Sequence, residues 1–281
     1  MTDKLLVTTD WLADHLDDPD LRIVDIRGHV IPASEPPPHY FNHREDYEKS
    51  HIPGAVFVDW VHEITDPESY LHARIAPPQR YADVMSRLGI EPDTFVVAYD
   101  DAQGAFAARL WWSLNYYGHS QVAVLDGGWN QWIAEGRPTS AELPTIEPAV
   151  FVANPNPNWI RSGDQVFSIL NTATRIIDTR SPEEFAGETS RIERKGHIPG
   201  AVNIPRLQLV GEDGTFRSPE TLRQLFLEAG VDGSSEIVTY CNAGVSASYG
   251  LLTLKIAGFD GAMYDGSWKD WGSNANRPVE T

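Results

Sequence analysis

The chain repeats itself, and that repeat constrains its fold more than any other feature. Leu21-Arg22-Ile23-Val24-Asp25-Ile26-Arg27 returns as Arg175-Ile176-Ile177-Asp178-Thr179-Arg180. His51-Ile52-Pro53-Gly54-Ala55-Val56 returns as residues 197–202, and Phe95-Val96-Val97-Ala98-Tyr99 as Glu236-Ile237-Val238-Thr239-Tyr240. Asp126-Gly127-Gly128-Trp129-Asn130-Gln131-Trp132 returns as Asp265-Gly266-Ser267-Trp268-Lys269-Asp270-Trp271. The separations fall in order, 153, 146, 141 and 139 residues, so the second copy keeps the elements and shortens the loops. Four matches in one order predict two like domains.

Size agrees with that reading. At roughly 150 residues per domain, a chain of 281 residues holds about two. Between the copies, Pro138, Pro144, Pro148, Pro155 and Pro157 crowd a stretch without periodicity. Prolines at this density favour an extended, semi-stiff connector. We therefore divide the chain into a first domain over 1–140, a connector over 141–158 and a second domain over 159–281, with the two copies packed on each other.

Within each copy, short β-branched runs alternate with helix-length stretches. The runs are Ile23-Val24, Phe95-Val96-Val97, Val122-Ala123-Val124-Leu125, Ile176-Ile177 and Ile237-Val238-Thr239. Between them, helices are expected over 78–88, 105–117, 219–229 and 246–257. That alternation predicts the α/β class, with a mainly parallel sheet flanked by helices in each copy. Sites in such sheets lie at the carboxyl ends of the strands.

Charge narrows the ligands. With 22 Lys+Arg against 40 Asp+Glu the formal charge is −18. Such a surface repels nucleic-acid backbones and anionic lipid, so neither is an expected partner. An anionic substrate would need a locally favourable site. No apolar run reaches the roughly 18 residues of a membrane span. The opening residues lack a leader pattern, and the expected location is cytoplasmic.

One cysteine, Cys241, excludes an internal disulfide and CxxC zinc spacing. It follows the apolar run Ile237-Val238-Thr239-Tyr240 and precedes a helical stretch. Between them lies the small-residue loop Cys241-Asn242-Ala243-Gly244-Val245-Ser246. Gly244 permits a turn that a side chain would hinder. Exposed amides and a helix N-terminus form an anion cradle there, which favours thiolate over thiol. The position reads as a nucleophile rather than a buried, inert cysteine. Its counterpart in the first copy is Asp100, a poor nucleophile for sulfur, so the first copy is expected to be noncatalytic.

With these motifs in place the chain resembles the tandem-domain rhodanese family of thiosulfate and 3-mercaptopyruvate sulfurtransferases. The matching features are HIPGA in both halves, Asp-x-Arg near the start of each half, Tyr99-Asp100, Leu125-Asp126-Gly127-Gly128 and Tyr264-Asp265-Gly266-Ser267-Trp268. The resemblance implies two tandem rhodanese-like domains and a persulfide relay. Cys241 would take sulfur from a small anionic donor and pass it to a thiol, cyanide or a redox protein. The amides of Asn242, Ala243, Gly244, Val245, Ser246 and Ala247 would hold the persulfide. No cofactor is expected, and no metal either, since His39 and His43, the only histidines four apart, follow three prolines in a loop that does not offer helical ligand geometry.

Departures from the family bear on the donor. Thiosulfate-type members carry basic side chains directly after the cysteine, where this loop has Asn242-Ala243. Mercaptopyruvate-type members place a serine at the position of Ala243 and use a first-domain Asp and His. Here His72 matches that His and Val61 stands for that Asp. Of two arginines after Asp-x-Arg, Glu184 replaces the first, and Arg191 and Arg194 lie near the second. Arg191, Arg194 and His72 are therefore candidate substrate contacts, and thiosulfate is the favoured donor.

Other polar residues receive plainer readings. Asp25, Arg27, Asp178 and Arg180 are expected in buried ion pairs that fix loops. His51 and His197 are expected to bond backbone. Trp111, Trp112, Trp268 and Trp271 are expected in the core or between domains. His39 and His43 read as loop residues after three prolines. A Cys-x5-Arg phosphatase loop is excluded, because Ala247 and Ser248 stand where arginine would be needed. A noncatalytic rhodanese-like binding module is the alternative to an enzyme.

Overall fold

In the computed structural model, residues 4–31 and 35–281 are described. The chain forms two five-stranded parallel sheets and one two-stranded ribbon. In chain order the strands are β1 (Leu6–Val7), β2 (Leu21–Asp25), β3 (Gly28–Val30), β4 (Tyr40–Asn42), β5 (Val56–Phe57) and β6 (Phe95–Tyr99). They continue as β7 (Val122–Leu125), β8 (Ile160–Arg161), β9 (Arg175–Asp178), β10 (Val202–Asn203), β11 (Ile237–Tyr240) and β12 (Ala262–Tyr264).

The first sheet runs β1-β7-β6-β2-β5 and the second β8-β12-β11-β9-β10. Pairing each strand with its sequence repeat gives the same order in both, so the duplication extends to topology. The ladders agree in detail. Asp25 lies opposite Tyr99, and Asp178 lies opposite Tyr240. The ribbon of β3 and β4 is antiparallel, with His29 opposite Phe41. Among the described residues the second half has no such ribbon.

Central strands are buried on both faces, which is why they read as continuous apolar runs. All five residues of β6 and all four of β11 are buried. Helices start where the sequence supplies a cap. Pro78 and Pro219 take first-turn positions in Pro78–Arg87 and Pro219–Glu228, and Ser218 caps the latter by accepting from Thr221 N–H. All four expected helices form within two residues of their predicted ends.

The helices Ala105–Tyr116 and Val245–Ile256 pack against each other between the halves. That contact explains why each is apolar around most of its circumference. One hydrophobic core joins residues of both halves, from Val24 and Trp111 to Leu251 and Met263. A buried ion pair crosses the same boundary, with Arg109 Nη1 2.7 Å from Asp265 Oδ1. Arg109 also donates to the Ala73 carbonyl, and Asp265 accepts from Ile75 N–H. The proline-rich stretch packs on the first half, where Phe151 is buried and Asn154 N–H donates to the Tyr117 carbonyl.

The paired Asp-x-Arg motifs sit at the carboxyl ends of β2 and β9. Arg27 Nε lies 2.9 Å from Asp25 Oδ2, and Arg180 Nη2 lies 2.6 Å from Asp178 Oδ2. Each arginine also holds a carbonyl of the following loop, Ser50 and Gly196 respectively. Each is stacked on a tryptophan, Trp129 or Trp268.

Candidate active site

Cys241 leaves the carboxyl end of β11 and turns at once into the helix Val245–Ile256. The turn needs glycine at 244 for two reasons. Its φ is +86°, and a Cβ there would stand 2.8 Å from Arg109 Nη1 and 2.9 Å from Asp265 Oδ1. The cysteine is buried, and Gly244 N–H donates to its Sγ at 3.1 Å. Cys241 N–H donates to Ser267 Oγ at 3.2 Å. At the helix start, the N–H groups of Val245, Ser246 and Ala247 have no backbone acceptor among the described residues.

The equivalent loop of the first half shows what such amides hold. Asp100 leaves β6 in the same way, with Gly104 at φ +82° before the helix Ala105–Tyr116. Its buried carboxylate accepts from four N–H groups, those of Ala102 and Gly104 through Oδ1 and of Phe106 and Ala107 through Oδ2, all within 2.7–2.8 Å. The first loop therefore carries its own anion. In the second loop, one residue shorter, the cysteine sulfur takes that place.

Cys241 faces a cavity of about 610 Å³ at the junction of the halves. Asn242, Ala243, Val245, Ser246 and Arg191 line it together with the cysteine. Gly244 and Ala247 are not part of the lining; Ala247 is buried in the first turn of the helix. The lining includes three arginines, Arg180, Arg191 and Arg206, and one carboxylate, Glu184. A strongly acidic chain thus gathers positive charge around its thiol. Glu184 is tied down, accepting from Asn242 Nδ2 at 2.8 Å and lying 3.9 Å from Arg191 Nε. Arg180 Nη1 and Asn242 Oδ1 are buried without a hydrogen-bond partner among the described residues.

Two sequence candidates fall elsewhere. Arg194 is absent from the cavity wall, because its Nη1 donates to the Asn274 carbonyl at 3.0 Å while Arg191 Nη1 donates to Ile31. His72 is exposed and outside the lining, its ring tilted over Tyr40 at 5.3 Å. Partial desolvation of the ring, helped by the charges of Lys269 and His39, holds its imidazole below the usual range.

Several site residues escaped the sequence reading. Lys269, the residue after Trp268, donates through its N–H to the Asn242 carbonyl and through Nζ to the Tyr40 hydroxyl. Burial and then Arg191 pull its ammonium down to about 8, against the opposing pull of Cys241. Burial first, and Cys241 besides, raises the Tyr40 phenol, with Arg191 opposing. Lys269 and Arg206 both follow strands of the second sheet, so the carboxyl-end rule was the signal for them. His29 and Tyr40 reach the cavity from the β3–β4 ribbon. His39 and His43 both lie outside strands and helices, as the sequence reading has them. His39 precedes β4 directly, and His43 precedes the helix Arg44–Lys49. Their rings bond the Glu35 carbonyl and Asp101 respectively.

Comparison with known proteins fits this architecture. The rhodanese-like domain pattern matches twice, over residues 8–135 and 163–274. The chain belongs to the rhodanese family. It is 36% identical to a thiosulfate sulfurtransferase of Rattus norvegicus, over 99% of this chain and 94% of that protein. It is 33% identical to the sulfur carrier protein TtuD of Thermus thermophilus, over 98% and 96%. Its fold superposes on SseA from Escherichia coli, described among 3-mercaptopyruvate sulfotransferases, with TM-score 0.83 and 32% identity over 94% of this chain and 99% of that one. The protein is a sulfurtransferase of rhodanese type. In this rhodanese the two matched segments contain the two loops just compared, with aspartate in the first and cysteine in the second.

Proposed function

We propose that this rhodanese carries sulfur as a persulfide on Cys241, taking it from thiosulfate in preference to 3-mercaptopyruvate. The observation that carries the reading is the exchange of Asp100 for Cys241 between otherwise like anion loops. In the loading step the Cys241 thiolate attacks the outer sulfur of thiosulfate. The S–S bond breaks, its electron pair leaves with sulfite, and Cys241–S–S⁻ remains. Negative charge is conserved, so the same amides and arginines serve throughout. Delivery to a thiol or cyanide regenerates the thiolate.

Donor preference follows from what the leaving group needs. Sulfite is a stable anion and asks only for positive surroundings, which Arg180, Arg191 and Arg206 supply. Mercaptopyruvate leaves an enolate that must be protonated. Ala243 and Val61 replace two members of the Ser-His-Asp set implied by the family, and His72 lies outside the cavity wall. The test is a donor panel scored as kcat/KM, with mass spectrometry of the Cys241 peptide. Thiosulfate should give the higher kcat/KM and a mass gain of one sulfur that cyanide removes. A higher kcat/KM for 3-mercaptopyruvate would reverse the preference, and no mass gain with either donor would end the persulfide reading.

A further inference from the structure

The β3–β4 ribbon brings a chain of three titratable groups to the cavity. His43 Nδ1 lies 2.7 Å from Asp101 Oδ2, and His43 Nε2 lies 2.6 Å from His29 Nδ1. His29 lines the same cavity as Cys241, and its ring stacks on Phe41 at 4.6 Å with an interplanar angle of 7°. Asp101 is itself anchored, accepting from Gly28 N–H through its other oxygen.

The bonding pattern assigns the tautomers. An ionised carboxylate can only accept, so His43 carries its proton on Nδ1. Its Nε2 is then an acceptor, and His29 must donate to it from Nδ1. A neutral His29 protonated at Nδ1 keeps a lone pair on Nε2. Among the described residues no hydrogen bond uses that nitrogen. The chain Asp101–His43–His29 thus ends in a base on the cavity wall, and its two inner members fix the tautomer and orientation of His29.

We propose that His29 is the general base for thiol acceptors, with His43 and Asp101 as its positioning residues. The inference rests on the persulfide reading of Cys241. A free thiol, with a pKa of about 8.5, is mostly protonated at neutral pH and must lose that proton to become a nucleophile. In the step, the acceptor S–H bond breaks and the proton passes to His29 Nε2. The acceptor sulfur bonds to the outer sulfur of the Cys241 persulfide. The bond from that sulfur to Sγ breaks and its electron pair returns to Cys241 as thiolate. The product leaves as a persulfide anion, and His29 returns its proton to solvent. No external oxidant or reductant is needed. Sulfite brings a lone pair with no S–H proton, so its attack makes no use of this base.

The test loads Cys241 with sulfur, removes the donor, and follows single-turnover discharge to 2-mercaptoethanol and, separately, to sulfite. General-base catalysis is worth about 10²–10⁴ in rate. His29→Gln should therefore lower the ratio of thiol rate to sulfite rate by about 100-fold. His43→Gln and Asp101→Asn should lower the same ratio by smaller factors. If the groups merely pin the ribbon, both rates fall together and the ratio stays within about twofold of wild type, which overturns the proposal. A wild type that takes up no sulfur would overturn the persulfide reading and this inference with it. A loaded wild type with an unchanged ratio in His29→Gln overturns this inference alone.

Discussion

The Asp100 carboxylate and the Cys241 sulfur occupy corresponding ends of β6 and β11, each at the mouth of a glycine turn that opens a helix. Asp100 accepts four backbone N–H groups, whereas Cys241 Sγ accepts one, from Gly244. One loop is filled by its own side chain, whereas in the other the N–H groups of Val245, Ser246 and Ala247 have no backbone acceptor among the described residues. A terminal persulfide sulfur, one bond beyond Sγ and negatively charged, has the size and charge to use them.

The Asp100 cradle should behave as a structural element. Asp100→Ala leaves four donors without their acceptor, at a cost of about 2–4 kcal/mol, since orphaned buried donors are the expensive case. Asp100→Asn keeps one accepting oxygen and should lose less. Urea unfolding followed by tryptophan fluorescence measures both. Midpoints equal to wild type would show that the cradle adds nothing to stability.

Arg191 and Arg194, three residues apart, should separate kinetically. Arg191→Ala should raise the thiosulfate KM several-fold with a smaller change in kcat, because a contact that orients the donor binds ground and transition states alike. Arg194→Ala should leave KM within about twofold, since its guanidinium is committed to Asn274. Equal KM values in the two variants would remove Arg191 from donor binding.

Lys269 gives the site a pH dependence with a definite sign. Its ammonium titrates at about 8, so positive charge near the thiol is lost as pH rises through that value. The other groups facing it are Arg191, the His72 imidazole, which is held below its usual range, the Tyr40 phenol, which titrates above its usual range, and Cys241. The thiosulfate KM should therefore rise between about pH 7 and 9. Lys269→Arg, charged throughout, should flatten the rise, and Lys269→Met should show a high KM at every pH. A wild-type KM independent of pH over that interval would contradict this role.

Much of the fold was legible because burial on both faces leaves an unmistakable mark. Phe95-Val96-Val97-Ala98-Tyr99 and Ile237-Val238-Thr239-Tyr240 are apolar or nearly so, and the prolines at 78 and 219 announce helix starts. The position of Cys241, between a strand end and a helix start, was legible because an apolar run, a glycine and small neighbours converge on it. The ribbon was not. Gly28-His29-Val30 and Tyr40-Phe41-Asn42 are only three residues each, flank a proline-rich stretch and show no period. Its consequence, that His29, His43 and Asp101 form a chain, depends on contacts across 14 and 58 residues. Arg191 and Arg194 differ in direction for the same reason: they sit in an irregular loop, where spacing carries no facing. Lys269 was hidden inside a repeat match, aligned with Asn130 and read only as that.

Sulfite release in a single turnover tests the central claim most directly. Mixed with excess thiosulfate and no acceptor, the wild-type protein should release one sulfite per chain, in step with a mass gain of one sulfur at Cys241. Cys241→Ser, nearly isosteric but unable to ionise or hold a persulfide, should release none while unfolding at the wild-type midpoint. Stoichiometric sulfite from the folded serine variant would contradict the account.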